Sequence, residues 1–153
     1  MIDTRNFSPK DNIVGDSDED TILLRKMAEE AAAFLMTFEW CPEIATIYFA
    51  GGVGGIIGLY LVEFHEPVKR QDKQLWVVKG DVPSAYFVTD EAQSPKEALQ
   101  LYCQLMDDWI HSVLSQDPAA EVFPVRADRT IENANALMVR IKFIKENVMP
   151  RLC

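Results

Sequence analysis

Residues 44–62 read IATIYFAGGVGGIIGLYLV and contain no charged side chain. An uncharged run of this length would suit a membrane-spanning helix, but its five glycines would weaken a helix, and the flanking Glu43 and Glu63 are acidic rather than basic. Val, Ile, Tyr and Phe are typical of strands, and they lie here on both sides of a glycine-rich centre. The run therefore predicts two strands joined by a turn at residues 51–55, with the second strand from about residue 56 to residue 64.

Two further strands and three helices are predicted around this hairpin. After a charged connector at residues 66–73, residues 75–78 and 85–88 read as strands on either side of the turn residues 80–83. Three other segments have apolar residues at three- and four-residue spacing, which predicts amphipathic helices. Their predicted starts are near Asp18, after the cap Ser94 and after the cap Thr130, and their predicted ends are near Trp40, Asp117 and Pro150.

This order of elements predicts an α+β fold. We expect a four-stranded antiparallel meander with one helix before it and two helices after it. The chain has 153 residues, the usual length of one domain, so we place a single α+β domain at residues 17–153. Residues 1–16 mix Pro, Asn, Asp and Ser without periodicity, which predicts a poorly ordered N-terminal arm.

The charge of the chain narrows the class of partner. Its 15 Lys and Arg residues against 24 Asp and Glu residues give a formal net charge of -9 at pH 7. Such a charge opposes attraction to nucleic acid phosphates and to anionic lipid, so we expect neither a nucleic acid nor a membrane partner. The same charge would speed the encounter with a basic protein.

The cysteines and the N-terminus predict the compartment. Cys41, Cys103 and Cys153 are odd in number, far apart and without a second Cys or His at metal-ligand spacing, which indicates reduced thiols and no metal site. The N-terminal residues lead into an acidic run with no apolar segment of the kind that a signal peptide has. We therefore expect a cytoplasmic protein.

Three apparent sites have simpler structural explanations. The glycine cluster lacks the third glycine of a dinucleotide-binding loop and the Lys-Ser/Thr pair of a Walker loop, so we interpret it as a close-packed or flexible turn. Cys41 would need a base to act as a nucleophile, and His65 could serve only if folding brought the two together. The carboxylates that could do acid-base or metal chemistry are not clustered, and we expect them to be solvated: Glu63, Glu66, Asp81, Asp107 and Asp108.

Residues 76–86, WVVKGDVPSAY, are the most individual part of the chain. They resemble the W-V-V-x-G-D-x-P-x-A-Y signature of a family of small acidic bacterial proteins of unassigned function, in which a proline-led, capped helix follows. The resemblance extends from about residue 40 to the C-terminus and implies a relative without an established activity. Independently of it, Gly80 and Asp81 are natural turn residues, and we expect Trp76 and Tyr86 to pair across adjacent strands.

The leading functional hypothesis is a noncatalytic bacterial protein-binding protein, most specifically an immunity or inhibitor protein that neutralises a toxin or effector. Its candidate partner-binding residues are Trp76, Asp81, Tyr86, Glu63 and Glu66, and no catalytic residue, cofactor or metal is predicted. One alternative is a small enzyme or small-molecule binder with a pocket between the sheet and the helices, using Cys41, His65 or Asp81. The other is a structural homodimer held by apolar helix surface.

Overall fold

The computed structural model describes residues 1–66, 73–117 and 121–153, so most of the predicted connector at residues 66–73 lies outside the described residues. The strands are β1 (Ser8–Pro9), β2 (Ile44–Val53), β3 (Ile57–Phe64), β4 (Gln74–Gly80) and β5 (Ala85–Val88). The helices are α1 (Asp18–Met36), α2 (Pro95–Leu114) and α3 (Ile131–Phe143), and α3 continues into a π-type turn (Ile144–Val148) and a 3-10 turn (Met149–Arg151).

The strands form one antiparallel sheet in the order β1-β2-β3-β4-β5. The α+β class and the predicted meander, β2 to β5, are confirmed, but the predicted count of four strands is wrong. The additional strand is β1, in which Ser8 and Pro9 pair with Phe49 and Tyr48. Two residues, one of them proline, are too few to show the alternation by which a strand is recognised.

The sheet lies between two helical layers because successive side chains of a strand point to opposite faces. Tyr60, Val62 and Phe64 of β3 are buried in one core with α1. Ile57, Leu59 and Leu61 are buried in a second core with α2 and α3. One helix therefore covers one face of the sheet, and two helices cover the other.

Each helix begins at a residue that the sequence marks as a cap. The side-chain oxygens of Ser17, Ser94 and Thr130 accept hydrogen bonds from the backbone N–H groups of Asp20, Glu97 and Asn133 at 3.1, 3.2 and 3.1 Å. These bonds satisfy N–H groups that have no partner within the helix itself. The predicted starts of all three helices are confirmed.

The N-terminal residues lie against the domain. Ile13 is completely buried in the core under α1. The buried Gln74 side chain accepts a hydrogen bond from the Ile2 N–H at 2.7 Å and donates one to the Ile2 carbonyl at 3.0 Å. Residues 2–13 therefore add a strand and buried apolar surface to the sheet, although the sequence predicts only an arm there.

Within the described ranges, no helix has the length and apolarity to cross a membrane.

Candidate functional site

A groove of about 1140 Å³ runs beside β5, the last strand in the sheet order. Its floor is formed by β5 and the turn at residues 79–84, and its walls come from the end of α1, from residues 123–127 and from α3. The groove opens where the sheet ends because no further described strand pairs with β5. Residues from both helical layers and from the edge strand therefore line the groove.

Four aromatic rings contact one another beside α1, and we call Phe34, Phe38, Trp40 and Tyr86 the aromatic cluster. Three of them line the groove, and Trp40 adjoins them. The Tyr86 ring lies 5.3 Å from the Phe38 ring and 5.1 Å from the Trp40 ring, measured between centroids. The Phe38 and Trp40 rings stack at 5.4 Å. Trp40 is nevertheless 39% exposed, and the other three rings are half-buried, so the cluster presents apolar surface to solvent.

Local structure explains how the aromatic cluster forms. Phe34 lies in the last turn of α1, and Phe38 lies two residues beyond its end. The Leu35 carbonyl accepts a hydrogen bond from the Phe38 N–H at 3.0 Å, and the Phe34 and Phe38 rings meet edge to face at 5.4 Å. The Phe38 carbonyl accepts a hydrogen bond from the Cys41 N–H at 3.2 Å, and this tight turn lays Trp40 back on Phe38. Tyr86 points toward α1 because it alternates with the buried residues of β5 that face α2.

Charged groups lie at both ends of the groove. The Asp81 carboxylate forms an ion pair with Arg140 at 3.0 Å, and both side chains are more than one third exposed, so the pair contributes little to stability. The Lys79 ammonium donates to the Ser84 hydroxyl at 2.8 Å and lies 5.4 Å from the centre of the Phe34 ring. At the other end Glu91 lines the groove and is exposed.

The two aromatic residues of the predicted hairpin surface do not pair. Trp76 lies opposite Phe87, and Tyr86 lies opposite Val77, so the two rings point to opposite faces of the sheet. Trp76 is completely buried, and its indole N–H donates to the Ala92 carbonyl at 2.8 Å. Its ring therefore offers no surface to a partner, whereas Tyr86 lies in the groove.

The three predicted acidic contacts are also separated. Asp81 follows the end of β4 and lines the groove. Glu63 lies at the opposite end of the β3–β4 pair, where its carboxylate accepts a hydrogen bond from Gln74 at 3.2 Å, and Glu66 is exposed just beyond β3. The fold places only Asp81 and Tyr86, of the five predicted residues, at the groove.

The groups proposed for an enzyme do not meet at a common point. The Glu43 carbonyl accepts a hydrogen bond from the His65 N–H at 3.1 Å, so His65 and the nearby Cys41 lie at one end of the sheet. Asp81 lies at the other end, about 23 Å away at the rise of a strand. The Cys41 thiol donates to the Pro42 carbonyl at 3.4 Å, and burial raises the pKa of Cys41, which opposes formation of a nucleophilic thiolate.

The glycine-rich turn is packed against the start of α1. The Asp20 carboxylate accepts hydrogen bonds from the Gly54 N–H at 2.6 Å and from the Asp16 N–H at 2.8 Å. A Cβ at Gly54 would lie 2.7 Å from Asp20 Oδ1 and 2.8 Å from Leu23 Cβ. A carboxylate of the chain itself thus takes the position that an anionic ligand would need, which confirms the close-packed interpretation of the turn.

The part of the chain that the structure describes contains no cluster of His, Cys, Asp and Glu suited to a metal ion. Comparison of the chain with protein-family models, curated proteins and solved structures gives no match. The groove and its residues are therefore the basis for a functional proposal.

Sequence reasoning missed three of the four residues of the aromatic cluster. Phe34 and Phe38 belong to the apolar stripe of the first predicted helix and are indistinguishable from core residues by spacing. Trp40 reads as the end of a helix. The available signal is that the apolar stripe continues past the last helical turn into a tryptophan, which indicates apolar surface beyond what α1 itself can bury.

Proposed function

We propose that this protein is a noncatalytic bacterial binding protein, most specifically an immunity or inhibitor protein that occludes a basic toxin or effector, and that the groove beside β5 is its contact surface. The observation that carries the proposal is the aromatic cluster: Phe34, Phe38 and Tyr86 line the groove, and Trp40 packs on Phe38 and Tyr86 while it stays 39% exposed.

Exposed aromatic clusters are costly to leave in water and are enriched in protein interfaces. Tryptophan and tyrosine are among the residues whose truncation most often weakens a complex, because they bury a large area at a small cost in conformational entropy. The rings of the aromatic cluster already fix one another, so a partner would meet a preorganised surface. Preorganisation lowers the entropy lost on binding.

The charge of the whole chain supports a basic partner. A net charge of -9 attracts a positively charged protein and raises the rate of encounter, and salt weakens this effect. The proposal includes a cytoplasmic location, to which the three free thiols are suited. It also includes membership in the small acidic bacterial family that residues 76–86 resemble.

The groove suits a protein segment better than a small molecule. Small-molecule sites enclose most of the ligand surface in about 300–1000 Å³. This groove is larger and open along one side, with lining residues from α1, β5, α3 and residues 123–127. A ligand that touched all of these elements would be extended.

Affinity capture with three versions of the full chain tests the proposal. Wild type, Trp40→Ala and Val139→Ala are immobilised and incubated with an extract of the native cells at low salt. Val139 is 70% exposed on the outer face of α3, so Val139→Ala serves as the matched control. A basic protein should bind wild type and Val139→Ala and be lost from Trp40→Ala. Once purified, it should lose its toxic activity on addition of the chain, and its association rate should fall as NaCl is raised.

Two outcomes would contradict the proposal. One is a protein that binds all three versions equally, which would place the contact away from the aromatic cluster. The other is a purified partner whose activity is unchanged when the chain is saturating, which would remove the inhibitor role.

A further inference from the structure

The hydrogen-bond pattern of β4 shows which of its backbone groups face β5. The Phe64 N–H donates to the Lys73 carbonyl at 2.8 Å, and the Asp81 N–H donates to the Ile56 carbonyl at 2.9 Å. Both bonds extend the pairing of β3 with β4, and both use odd-numbered residues that flank β4, Lys73 and Asp81. Because backbone groups alternate in direction along an antiparallel strand, the even-numbered residues of β4 bond to β5.

The same alternation fixes the outer edge of β5. Trp76 and Val78 lie opposite Phe87 and Ala85, so these are the pairs that exchange hydrogen bonds between β4 and β5. The backbone N–H and C=O groups of Tyr86 and Val88 therefore point outward. The Val88 carbonyl accepts a hydrogen bond from the Glu91 N–H at 3.2 Å, which agrees with this direction.

Three backbone groups remain at this edge. The Tyr86 N–H, the Tyr86 carbonyl and the Val88 N–H make no hydrogen bond to any residue in the described ranges. Proteins usually protect such an edge with Lys, Pro, a bulge or a covering segment, since it is a template for another strand. The sequence of β5 is AYFV, which contains none of these protecting residues.

Both sides of the edge are apolar. The aromatic cluster lies on the side of α1, and Phe123, Val125 and Leu137 line the groove on the other side. A strand added to β5 would direct alternate side chains to these two surfaces. The groove therefore offers both the backbone groups and the side-chain contacts that strand addition requires.

We propose that the partner supplies an extended segment that pairs with Tyr86 and Val88 as a sixth strand of the sheet. This proposal rests on the proposed function. The segment has apolar side chains on both of its faces and no proline opposite Tyr86. Lys or Arg lies beyond the end that meets Asp90 and Glu91, two exposed carboxylates that form no ion pair within the described ranges.

A second copy of the chain fits this edge poorly. Antiparallel self-pairing about Tyr86 would place Asp81 of each copy opposite Glu91 of the other, since both are five residues from Tyr86. It would also join two chains of net charge -9. A basic segment from another protein would instead meet the exposed carboxylates of Asp90 and Glu91 with attraction.

The test uses the full chain and a phage-displayed library of random 12-residue peptides as the probe. Selected peptides are synthesised and their affinity is measured for wild type, Val88→Pro and Val88→Ala. Proline removes the outward N–H of Val88 without removing a bond to β4, and alanine removes the same side chain while it keeps that N–H. We expect Val88→Pro to bind at least tenfold more weakly than Val88→Ala.

Amide hydrogen exchange in wild type gives a second readout that needs no variant. A bound peptide should slow exchange at Tyr86 and Val88 at least tenfold and change Ala85 and Phe87 little, because those two amides already bond to β4. Equal affinity of Val88→Pro and Val88→Ala, or unchanged exchange at Tyr86 and Val88, would overturn strand addition, as would a library that yields no binder.

Trp40→Ala separates this failure from failure of the proposed function. If strand addition is overturned while Trp40→Ala still releases the peptide, the groove binds through side chains and the proposed function stands. If strand addition is overturned and Trp40→Ala also binds the peptide as wild type does, both proposals fall. Protection of Tyr86 and Val88 in the absence of peptide, with a doubled mass by light scattering, would overturn the proposal in favour of a second copy.

Discussion

Cys41, Cys103 and Cys153 lie in three different environments, and their reactivity tests whether the chain contains an activated thiol. Burial raises the pKa of Cys103 to about 12 and also raises the pKa of Cys41, whereas Cys153 is exposed. The thiolate is the reactive form, so we expect iodoacetamide at pH 8 to modify Cys153 first, Cys41 more slowly and Cys103 only on unfolding. Peptide mass mapping over time measures the order. Faster modification of Cys41 than of Cys153 would return the enzyme hypothesis to consideration.

Asp20 is the residue that holds the glycine-rich turn against α1. Asp20→Ala leaves the N–H groups of Gly54 and Asp16 without their acceptor, so we expect the free energy of unfolding to fall by about 1–3 kcal/mol. Glu19→Ala, an exposed acid in the same helical turn, is the matched control and should cost less than about 1 kcal/mol. Urea unfolding measures both. Equal small losses would show that the turn does not depend on the carboxylate.

Proline substitution in β5 can verify which of its backbone N–H groups face β4 and which face outward. Phe87→Pro removes a bond to β4, whereas Val88→Pro removes only an outward N–H. Each proline variant is compared with alanine at the same position to subtract the side chain. We expect the proline-specific loss at Phe87 to exceed that at Val88 by about 1–3 kcal/mol in urea unfolding. The reverse order would mean that Phe87 carries the outward N–H.

The elements that sequence predicts well are those with several agreeing local signals. The cap at Ser94, the proline after it and Glu97 all mark the start of α2, and the glycines between two β-branched runs mark the β2–β3 turn. Local signals of this kind depend on backbone geometry within a few residues, so contacts with distant parts of the chain do not change them.

What sequence does not predict depends on contacts between distant residues. β1 exists because Ser8 and Pro9 meet β2 in space, and periodicity does not indicate which helix covers which face of the sheet. The register between β4 and β5 places Phe87, not Tyr86, opposite Trp76, and a change of one residue in register moves a side chain to the other face. The groove depends on all of these long-range contacts together, so it could not be predicted from the sequence.

For the molecule as a whole, one buried thiol and two buried tyrosine hydroxyls predict a loss of stability at high pH. Burial raises the pKa of Cys103 to about 12 and raises the pKa of Tyr60 and Tyr102 above its usual value of 10.0. The unfolded chain therefore releases these protons at a lower pH than the folded chain does. Stability should be fully present below about pH 9 and should fall as the pH rises from 9 toward 12.

Thermal or urea unfolding at a series of pH values measures this loss. Cys103→Ala should reduce the part of the slope that begins near pH 9, because it removes the buried thiol whose pKa is raised. A free energy of unfolding that stays constant to pH 12 would contradict the burial of these three groups.

The fold as a whole presents one edge, one groove and one aromatic cluster at the same place, and the proposed function depends on that coincidence. Calorimetric titration of the purified partner into wild type, Trp40→Ala and Val139→Ala tests it most directly, with circular dichroism to verify that each variant is folded. We predict that Trp40→Ala binds at least tenfold more weakly, about 1.4 kcal/mol or more, and that Val139→Ala binds within about twofold of wild type. Wild-type affinity for Trp40→Ala would contradict the account, and an additional loss of affinity for Val139→Ala would move the contact surface to the outer face of α3.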